Sequence, residues 1–400
     1  VHRMIFDAML RLYSQGEPVD PIVVATALDE AGNLVKVGGA PYLHTLVAAV
    51  PPAVNATYYA RTVADRAVER RLIEAGARIM QLGYRGADAT GRSTAELATL
   101  AQQAIFEVTT RDAVEDYKVL ADMLQPALDA IESVGGNGEM TGVPTGFVDL
   151  DRLLNGLSPA QFVIIAGRPG LGKSTLAVDI ARNVAIRAKQ PAAIFSLEMS
   201  KVELTLRILS AEARIPLYLL RSGNLSDNDW TKLARRMGEI SDAPLFIDDT
   251  PNVTLMQLRA KAQQLKQRHD IKLIVVDYLQ LMSAPKQGRS REQEVADLSR
   301  GLKLLAKELD LPVIGVCQLN RGPEQRQDKR PQLSDLRESG SLEQDADVVI
   351  LLHRPDYYDP ESERAGEADV IVAKHRNGPT DTVTVAAQLH FACFADMAAQ

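Results

Sequence analysis

The stretch Gly167-Arg-Pro-Gly-Leu-Gly-Lys-Ser174 decides the fold class of this chain, because it matches the phosphate-binding pattern GxxxxGK[ST]. An apolar run, Phe162–Ala166, comes directly before it, and a helix-length apolar stretch starts at Thr175. Glycines in such a loop let the backbone curl, so that successive N–H groups point at phosphate oxygens at the start of a helix. The stretch therefore predicts a nucleoside triphosphate site; an incidental glycine turn with a lysine is the alternative.

We predict that the ligand is ATP with Mg²⁺. Lys173 is placed to reach the β- and γ-phosphates, and the Ser174 hydroxyl to bind the metal. The residues predicted to bind the nucleotide are Gly167, Arg168, Pro169, Gly170, Leu171, Gly172, Lys173, Ser174 and Thr175.

Three polar residues that end strand-like runs are candidates for the chemistry. Asp277 ends Leu273–Asp277, and we expect it to hold Mg²⁺ through water. Glu198 follows the strand-like run Ala192–Ser196. The carboxyl ends of parallel strands face the ligand, so Glu198 is the candidate for activating the attacking water. The alternative is that Glu198 caps the following helix. Gln318 follows Val313–Cys317 and is a candidate γ-phosphate sensor; a solvated strand end is its alternative.

Lys374 and Arg376 lie in the sequence Lys374-His-Arg-Asn-Gly-Pro379, between a strand-like run and a tight turn. Such cations suit a phosphate clamp or an arginine finger supplied to a neighbouring subunit's site. The alternative is a charged hairpin without a catalytic role.

Two basic stretches are candidates for contact with nucleic acid. The first follows Asp277 and contains Lys286, Arg289 and Arg291, and the second runs from Arg321 to Arg337. Basic loops beside a nucleotide crevice suit a contact with the phosphate backbone that is indifferent to base sequence. The alternative is that these basic residues are only exposed to solvent and bind no nucleic acid.

The hydrophobic period changes along the chain. Residues 1–110 have apolar positions at helical spacing, with Tyr58–Gly83 suited to one long helix or a helical hairpin. Residues 111–141 are polar and glycine-rich around one amphipathic piece, Lys118–Ser133, which could pack on its own domain or on a neighbouring subunit. From residue 142, short β-rich runs alternate with helix-length segments, and the last runs are joined by short loops. This pattern predicts an α/β domain with a mostly parallel sheet between helices and an antiparallel edge.

Composition limits the class of protein. The 400 residues carry a formal net charge of −7, which argues against a surface that coats nucleic acid throughout. No apolar run approaches the roughly 20 residues of a membrane span, and no signal peptide is visible, so we expect a cytoplasmic protein without membrane contact. The two cysteines, Cys317 and Cys393, are far apart and are expected to be reduced thiols rather than zinc ligands.

With these residues in view, the chain resembles the bacterial DnaB replicative helicase family over nearly its whole length. The resemblance is carried by the following stretches: HRMIFDAMLRLY (2–13), GRPGLGKST (167–175), SLEMS (196–200), VVDYLQLM (275–282), QLNR (318–321), SDLRESGSLEQDAD (334–347) and KHRNGP (374–379). Members have an N-terminal extension ahead of the position matched by Val1, so the first domain is expected to be incomplete at its start.

The resemblance implies a two-tier homohexamer with an all-α N-terminal collar (1–110), a linker helix swapped onto the next subunit (111–141) and a RecA-like P-loop ATPase ring (142–400). It assigns the catalytic glutamate to Glu198, the Walker B acid to Asp277, the γ-phosphate sensor to Gln318 and the action across the subunit interface to Lys374 and Arg376. It further implies that Arg337, Glu338 and Gly340 follow the DNA backbone in the central channel.

The activity implied by the resemblance is ATP-driven 5′ to 3′ movement on single-stranded DNA, which opens duplex at the replication fork. The implied partners are primase, a helicase loader and initiator proteins. The competing interpretations are a filament-forming RecA-class recombinase, which the helical front half argues against, and a nucleotide-dependent replication scaffold, which Glu198 argues against.

Overall fold

The structure is a computed structural model. It describes residues 1–14, 16–49, 56–90, 140–279 and 291–397, together with positions 96, 97, 100, 101, 103–105, 108, 120, 124, 125 and 128. The chain folds as two compact units, Val1–Met123 and Leu124–Gln400. Nearly all of the expected linker, including most of its helix Lys118–Ser133, lies outside the described residues, so the division at 110 and 141 stays a prediction.

The N-terminal unit is helical, as the spacing of its apolar residues predicts. The helices whose bounds are described are α1 (His2–Ser14), α2 (Pro21–Glu30), α3 (Gly39–Ala49) and α4 (Ala56–Thr90), with a 3₁₀ turn at Val35–Val37. The start of α2 is fixed by Asp20, whose carboxylate accepts hydrogen bonds from the Ile22 and Val23 N–H groups at 2.8 and 2.9 Å. The stretch that suited either a long helix or a hairpin is one continuous helix, α4.

The apolar stripes of the first three helices meet in one small core. Burial of such stripes against each other is what keeps short helices folded in water. The buried members are Ile5, Ala8, Leu12, Val24, Leu28, Val37 and Leu43.

The C-terminal unit is built on a nine-stranded sheet. Its strands are β1 (Phe162–Gly167), β2 (Ala192–Ser196), β3 (Leu245–Asp248), β4 (Leu273–Asp277), β5 (Val313–Gln318), β6 (Val348–His353), β7 (Glu367–His375), β8 (Thr382–Gln388) and β9 (Cys393–Asp396). Their order is β3-β2-β4-β5-β1-β6-β7-β8-β9. The first six are parallel and the last three form an antiparallel edge. The predicted α/β class and its antiparallel edge are therefore confirmed.

Helices cover both faces of the sheet. The helices are α5 (Val148–Leu154), α6 (Lys173–Arg182), α7 (Lys201–Ala213), α8 (Leu217–Ser222), α9 (Asp227–Ile240), α10 (Leu255–His269), α11 (Arg291–Leu309), α12 (Gly322–Gln325), α13 (Gly340–Asp345) and α14 (Pro355–Tyr358). A π-turn, Asn183–Arg187, extends α6, and 3₁₀ turns occur at Leu333–Ser339 and Leu389–Phe391.

Alternation along β1 shows how the two cores form. Val163 and Ile165 pack with α5, α6 and α7, whereas Phe162 and Ile164 pack with α10 and α11 on the other face. Because both faces are buried, the parallel strands appear in the sequence as continuous apolar runs. Within the described ranges, no helix combines the length and the apolar composition that crossing a bilayer requires.

Candidate nucleotide-binding site

The phosphate-binding loop joins β1 to α6 at the carboxyl edge of the parallel strands. Gly170 and Gly172 adopt φ values of +80° and +100°, a left-handed conformation that residues with a Cβ rarely adopt. A Cβ on Gly172 would also lie 2.8 Å from Phe394 Cζ. Because Gly172 is the N-cap residue and has no side chain, it leaves the first N–H groups of α6 open to a phosphate.

A cavity of about 510 Å³ opens over this loop. That volume lies in the range of about 300–1,000 Å³ typical of small-molecule sites. Six loop residues and three candidates from other strands line it: Pro169, Gly170, Gly172, Lys173, Ser174, Thr175, Glu198, Asp277 and Gln318. The sheet brings these residues together because β2, β4, β5 and β1 all end at this edge.

The other three predicted loop residues support the loop from outside the cavity lining. Gly167 pairs with Gln318 at the end of the β1–β5 ladder, and Leu171 is buried at 1% exposure. The Arg168 side chain points to Glu324 and to the Leu319 carbonyl, at 2.6 and 2.9 Å. We therefore expect Arg168 to contribute to the nucleotide site through its backbone.

Ser174 and Asp277 form the part of the site suited to a metal ion. The Ser174 hydroxyl donates to Asp277 Oδ1 at 3.0 Å. Asp277 Oδ2 is buried and has no hydrogen-bond partner among the described residues. A hard cation such as Mg²⁺ would satisfy this oxygen, so the donor set fits the predicted metal.

A cation bound there would need further ligands. Within the parts of the chain that the structure describes, no three His, Cys, Asp or Glu side chains come together to hold a metal. Mg²⁺ retains several waters and is commonly bound by one or two protein groups plus substrate phosphates. Ser174 and Asp277 form a donor pair of the kind that such a site uses.

Burial changes the protonation of the charged groups on the cavity floor. It raises the pKa of Asp277 to about 6, against the hydrogen bond from Ser174, which lowers it. Burial also lowers the pKa of Lys173, although the nearby Cys317 and Asp277 act in the opposite direction. Both shifts express the cost of burying a charge away from water.

We expect binding of Mg²⁺ with nucleotide to weaken as the pH falls through about 6, because Asp277 must lose its proton to hold the metal. Below that value the affinity should fall by about tenfold per pH unit. The pKa of Asp277 in the folded state lies above its value in the unfolded state. Without metal, the Asp277 carboxyl therefore contributes to the free energy of unfolding only at low pH, and this contribution is lost as the pH rises through about 6.

Titration of nucleotide affinity against pH, with and without Mg²⁺, measures the effect. Asp277→Asn is the matched control: it should abolish the metal-dependent slope and leave the metal-free protein at least as stable at neutral pH. A slope that persists in Asp277→Asn would assign the titration to another group.

Local hydrogen bonds hold Glu198 in the turn between β2 and α7. Ser196 Oγ accepts from the Met199 N–H at 3.1 Å and donates to the Met199 carbonyl at 2.8 Å. The N-cap of α7 is Ser200, which accepts from the Glu203 N–H. The alternative role of Glu198, as the cap of this helix, is therefore taken by Ser200, and Glu198 projects into the cavity.

Two charged residues that belong to none of the sequence motifs also line the cavity. Glu203 and Arg207 lie one turn apart on α7, and Arg207 donates to Glu203 at 3.1 Å. Arg207 Nε is buried without a hydrogen-bond partner in the described part of the chain. The sequence signal for them is their own spacing of four residues, Glu203 to Arg207, which puts both on one face of the helix that follows Glu198.

Lys374 and Arg376 lie outside this cavity. Lys374 Nζ donates to the carbonyls of Glu343 and Ala346 at 2.6 and 2.7 Å, at the end of α13. Arg376 is 54% exposed and donates to Asp347 at 3.2 Å. Neither cation is among the residues that line the nucleotide cavity of this chain.

The candidate DNA residues lie at two places. Lys286 and Arg289 lie outside the described residues, and Arg291 is the first residue of α11, with its side chain outside the description. Arg337 and Glu338 belong to the 3₁₀ turn Leu333–Ser339, and Gly340 starts α13. Two arginines of the second basic stretch are paired within the domain: Arg326 with Asp335 and Arg330 with Asp369.

Comparison with known families matches both units. The model described as "DnaB-like helicase C terminal domain" matches residues 142–396, and "DnaB-like helicase N terminal domain" matches residues 1–65. Replicative DNA helicase DnaB of Leifsonia xyli subsp. xyli is 56% identical over 398 residues, which cover 99% of this chain and 86% of the relative. The DnaB of Geobacillus stearothermophilus is 46% identical over 392 residues, 96% of this chain and 84% of the relative.

Two solved structures are also similar to this chain. A structure described as a DnaB-like replicative helicase and its interactions with primase has a TM-score of 0.76 and 34% identity, covering 98% of this chain and 91% of that one. A second solved structure, described as an ATPase domain, has a TM-score of 0.68 and 39% identity, covering 71% of this chain and all of that one.

Proposed function

The chain belongs to the family of DnaB-like replicative DNA helicases, and on that premise we propose that it moves 5′ to 3′ on single-stranded DNA and opens duplex at the replication fork. The observation that carries the motor role is one cavity in which Ser174 and Asp277 lie 3.0 Å apart beside Lys173 and Glu198. This arrangement places a phosphate-binding loop, a pair of metal ligands and a candidate general base around one cavity.

The catalytic steps follow from these side chains. Lys173 and the loop N–H groups bind the β- and γ-phosphates of ATP, and Ser174 with Asp277 holds the Mg²⁺ that neutralises phosphate charge. Glu198 accepts a proton from the attacking water, and Gln318 hydrogen-bonds the γ-phosphate at the end of β5. Loss of the γ-phosphate then changes the contacts of Gln318 and Lys173.

The assembly we propose is a homohexamer. Arg376, which is exposed and lies outside its own cavity, acts on the nucleotide of the neighbouring subunit together with Lys374, whose Nζ donates to the Glu343 and Ala346 carbonyls in this structure. Turnover then depends on subunit arrangement, so sequential hydrolysis around the ring can move DNA held by Arg337, Glu338 and Gly340, with Lys286, Arg289 and Arg291 as further backbone contacts.

The partners follow from the family. A solved relative interacts with primase, and we propose that this chain does so through its helical N-terminal unit. We further propose a helicase loader and initiator proteins as partners, and the replication fork in the cytoplasm as the place of action.

Unwinding of duplexes with a single 5′ or 3′ tail tests the function. We expect ATP-dependent strand separation that requires a 5′ tail, because translocation must begin on the strand along which the ring moves. A DNA-stimulated ATPase that separates neither substrate would contradict the helicase assignment and favour a filament-forming recombinase. Closed rings rather than filaments in electron micrographs are the accompanying expectation.

A further inference from the structure

The bridging segment, which we define as Leu319–Ser339, connects the candidate γ-phosphate sensor Gln318 to the candidate DNA residues. Three ion pairs of described residues hold it: Arg168–Glu324, Arg326–Asp335 and Arg330–Asp369, the last of which ties the segment to β7. We propose that the first two pairs make nucleotide binding and DNA binding depend on each other, with Glu324 and Asp335 as positioning residues. This inference rests on the proposed function and adds the connection between its two sites.

The first pair attaches the bridging segment to the phosphate-binding loop. Arg168 donates from Nε and Nη2 to one oxygen of Glu324, at 2.7 and 2.6 Å, and from Nη1 to the Leu319 carbonyl at 2.9 Å. The Leu319 N–H donates to the Gly167 carbonyl at 3.2 Å, which continues the strand ladder past Gln318. The Arg168 side chain is 11% exposed and that of Glu324 is 43% exposed, so water partly screens the ion pair, while the hydrogen bond to the Leu319 carbonyl holds the same guanidinium in place.

The second pair joins the middle of the bridging segment, at Arg326, to its C-terminal part, at Asp335. Arg326 binds Asp335 in a fork, with both distances at 2.6 Å, and Asp335 is only 3% exposed. Asp335 also accepts from the Gln332 N–H at 2.7 Å, and its carbonyl accepts from the Asn320 N–H at 3.0 Å. Two-point geometry fixes orientation as well as distance, so the 3₁₀ turn Leu333–Ser339 is held against the start of the segment.

The packing at this point leaves little room for independent movement. A Cβ on Gly322 would lie 2.6 Å from Asp335 Oδ1 and 2.8 Å from Asn320 Oδ1. The Gly322 N–H donates to that same Asn320 oxygen at 2.8 Å. The two ends of the bridging segment therefore move together, and a displacement at Glu324 is passed to the turn that carries Arg337.

The nucleotide acts on this connection through Lys173, whose Nζ donates to the Arg168 carbonyl at 3.1 Å. A bound phosphate takes the ammonium group, because a charge-assisted bond to phosphate is stronger than one to a neutral carbonyl. Arg168 loses this contact with Lys173, and the Arg168 side chain is the one that binds Glu324. Nucleotide binding therefore changes the restraint on the bridging segment.

Glu324→Gln tests the inference, because it removes the charge of an exposed residue outside the cavity and keeps its size. The measured quantity is the ratio of the dissociation constants of a fluorescent oligo-dT strand with Mg·ADP and with a non-hydrolysable Mg·ATP analogue. In the wild-type hexamer we expect the ratio to be about tenfold, and in Glu324→Gln about one to threefold, since a coupling free energy of this size is typical of linked sites. Hydrolysis without DNA should stay within about twofold of wild type, because Glu324 touches no phosphate.

Two further variants complete the experiment. Arg326→Lys keeps the charge but loses the fork, and we expect it to lower the ratio in the same way. Glu363→Gln removes one carboxylate from an exposed position outside the bridging segment and should behave as wild type.

The outcomes separate the two claims. A wild-type ratio that persists in Glu324→Gln and Arg326→Lys would overturn the inference and leave the proposed function intact. A loss of DNA-free hydrolysis in Glu324→Gln would also overturn it, because the pair would then serve the loop itself. A wild-type hexamer that binds no DNA would overturn the function and the inference together.

Discussion

Replacing Lys173 by alanine is expected to lower ATP turnover by about 10³-fold, since it removes a charge that stabilises the transferring phosphoryl group at the phosphate-binding loop. Unwinding should disappear with it. The reason is geometric: Lys173 is the first residue of α6, lies on the cavity floor and already turns its ammonium group inward, toward the Arg168 carbonyl. Steady-state phosphate release, with and without single-stranded DNA, measures the change.

Lys307→Ala, on the exposed side of α11, is the matched control and should keep wild-type turnover. Far-ultraviolet circular dichroism should show that both variants retain their secondary structure. Turnover that survives in Lys173→Ala at more than a tenth of the wild-type rate would contradict the assignment of the phosphate cradle, given the loss of about 10³-fold expected above.

Arg376→Ala should lose turnover by about 10³-fold or more, the effect typical of an arginine finger, while nucleotide affinity stays close to that of wild type. The physical reason is that Arg376 is outside its own cavity and 54% exposed, so it can stabilise the transition state only in a neighbouring subunit. Phosphate release measures turnover, and equilibrium binding of a fluorescent ATP analogue measures affinity. Arg300→Ala, an exposed arginine on α11, is the control.

Mixed rings distinguish action across the interface from action within one subunit. Glu198→Gln and Arg376→Ala subunits should each be inactive alone. Mixed in equal amounts, they should recover about one quarter of wild-type turnover, because a random ring places an intact Glu198 beside an intact Arg376 at one interface in four. No recovery on mixing would refute the trans assignment, and so would wild-type turnover by isolated monomers.

The parts of the site that could be predicted from sequence are those encoded within a few residues. The curled loop before Lys173 needs its glycines at fixed positions, and Asp277 and Glu198 each follow an apolar strand. A parallel sheet then brings such residues to one edge without further information. The cavity lining contains all three, as expected from the motifs alone.

Contacts between distant residues could not be predicted in this way. The motif around Lys374 indicates a cation near phosphate, but its Nζ caps the carbonyls of α13, about 30 residues earlier in the chain. Arg330 belongs to a basic stretch in the sequence, yet it pairs with Asp369, 39 residues away and 2% exposed. Such pairings depend on tertiary packing, which a single sequence does not display.

Short elements also escape prediction from the hydrophobic pattern. The strand β9, Cys393–Asp396, is four residues long and has no clear alternation, so the sequence there does not predict it. It nevertheless supports the site, since the Phe394 N–H donates to the buried Asp179 of α6 at 2.6 Å and the Phe394 ring packs against Gly172.

The most direct test of the central claim is a cryo-electron microscopy structure of the hexamer with ADP, beryllium fluoride and Mg²⁺. We predict that Lys173 Nζ has left the Arg168 carbonyl for the phosphate mimic, that the metal contacts Ser174 Oγ, and that Asp277 faces the metal from the tip of β4. A nucleotide bound away from the loop Gly167–Thr175, or a metal remote from Ser174 and Asp277, would contradict the account.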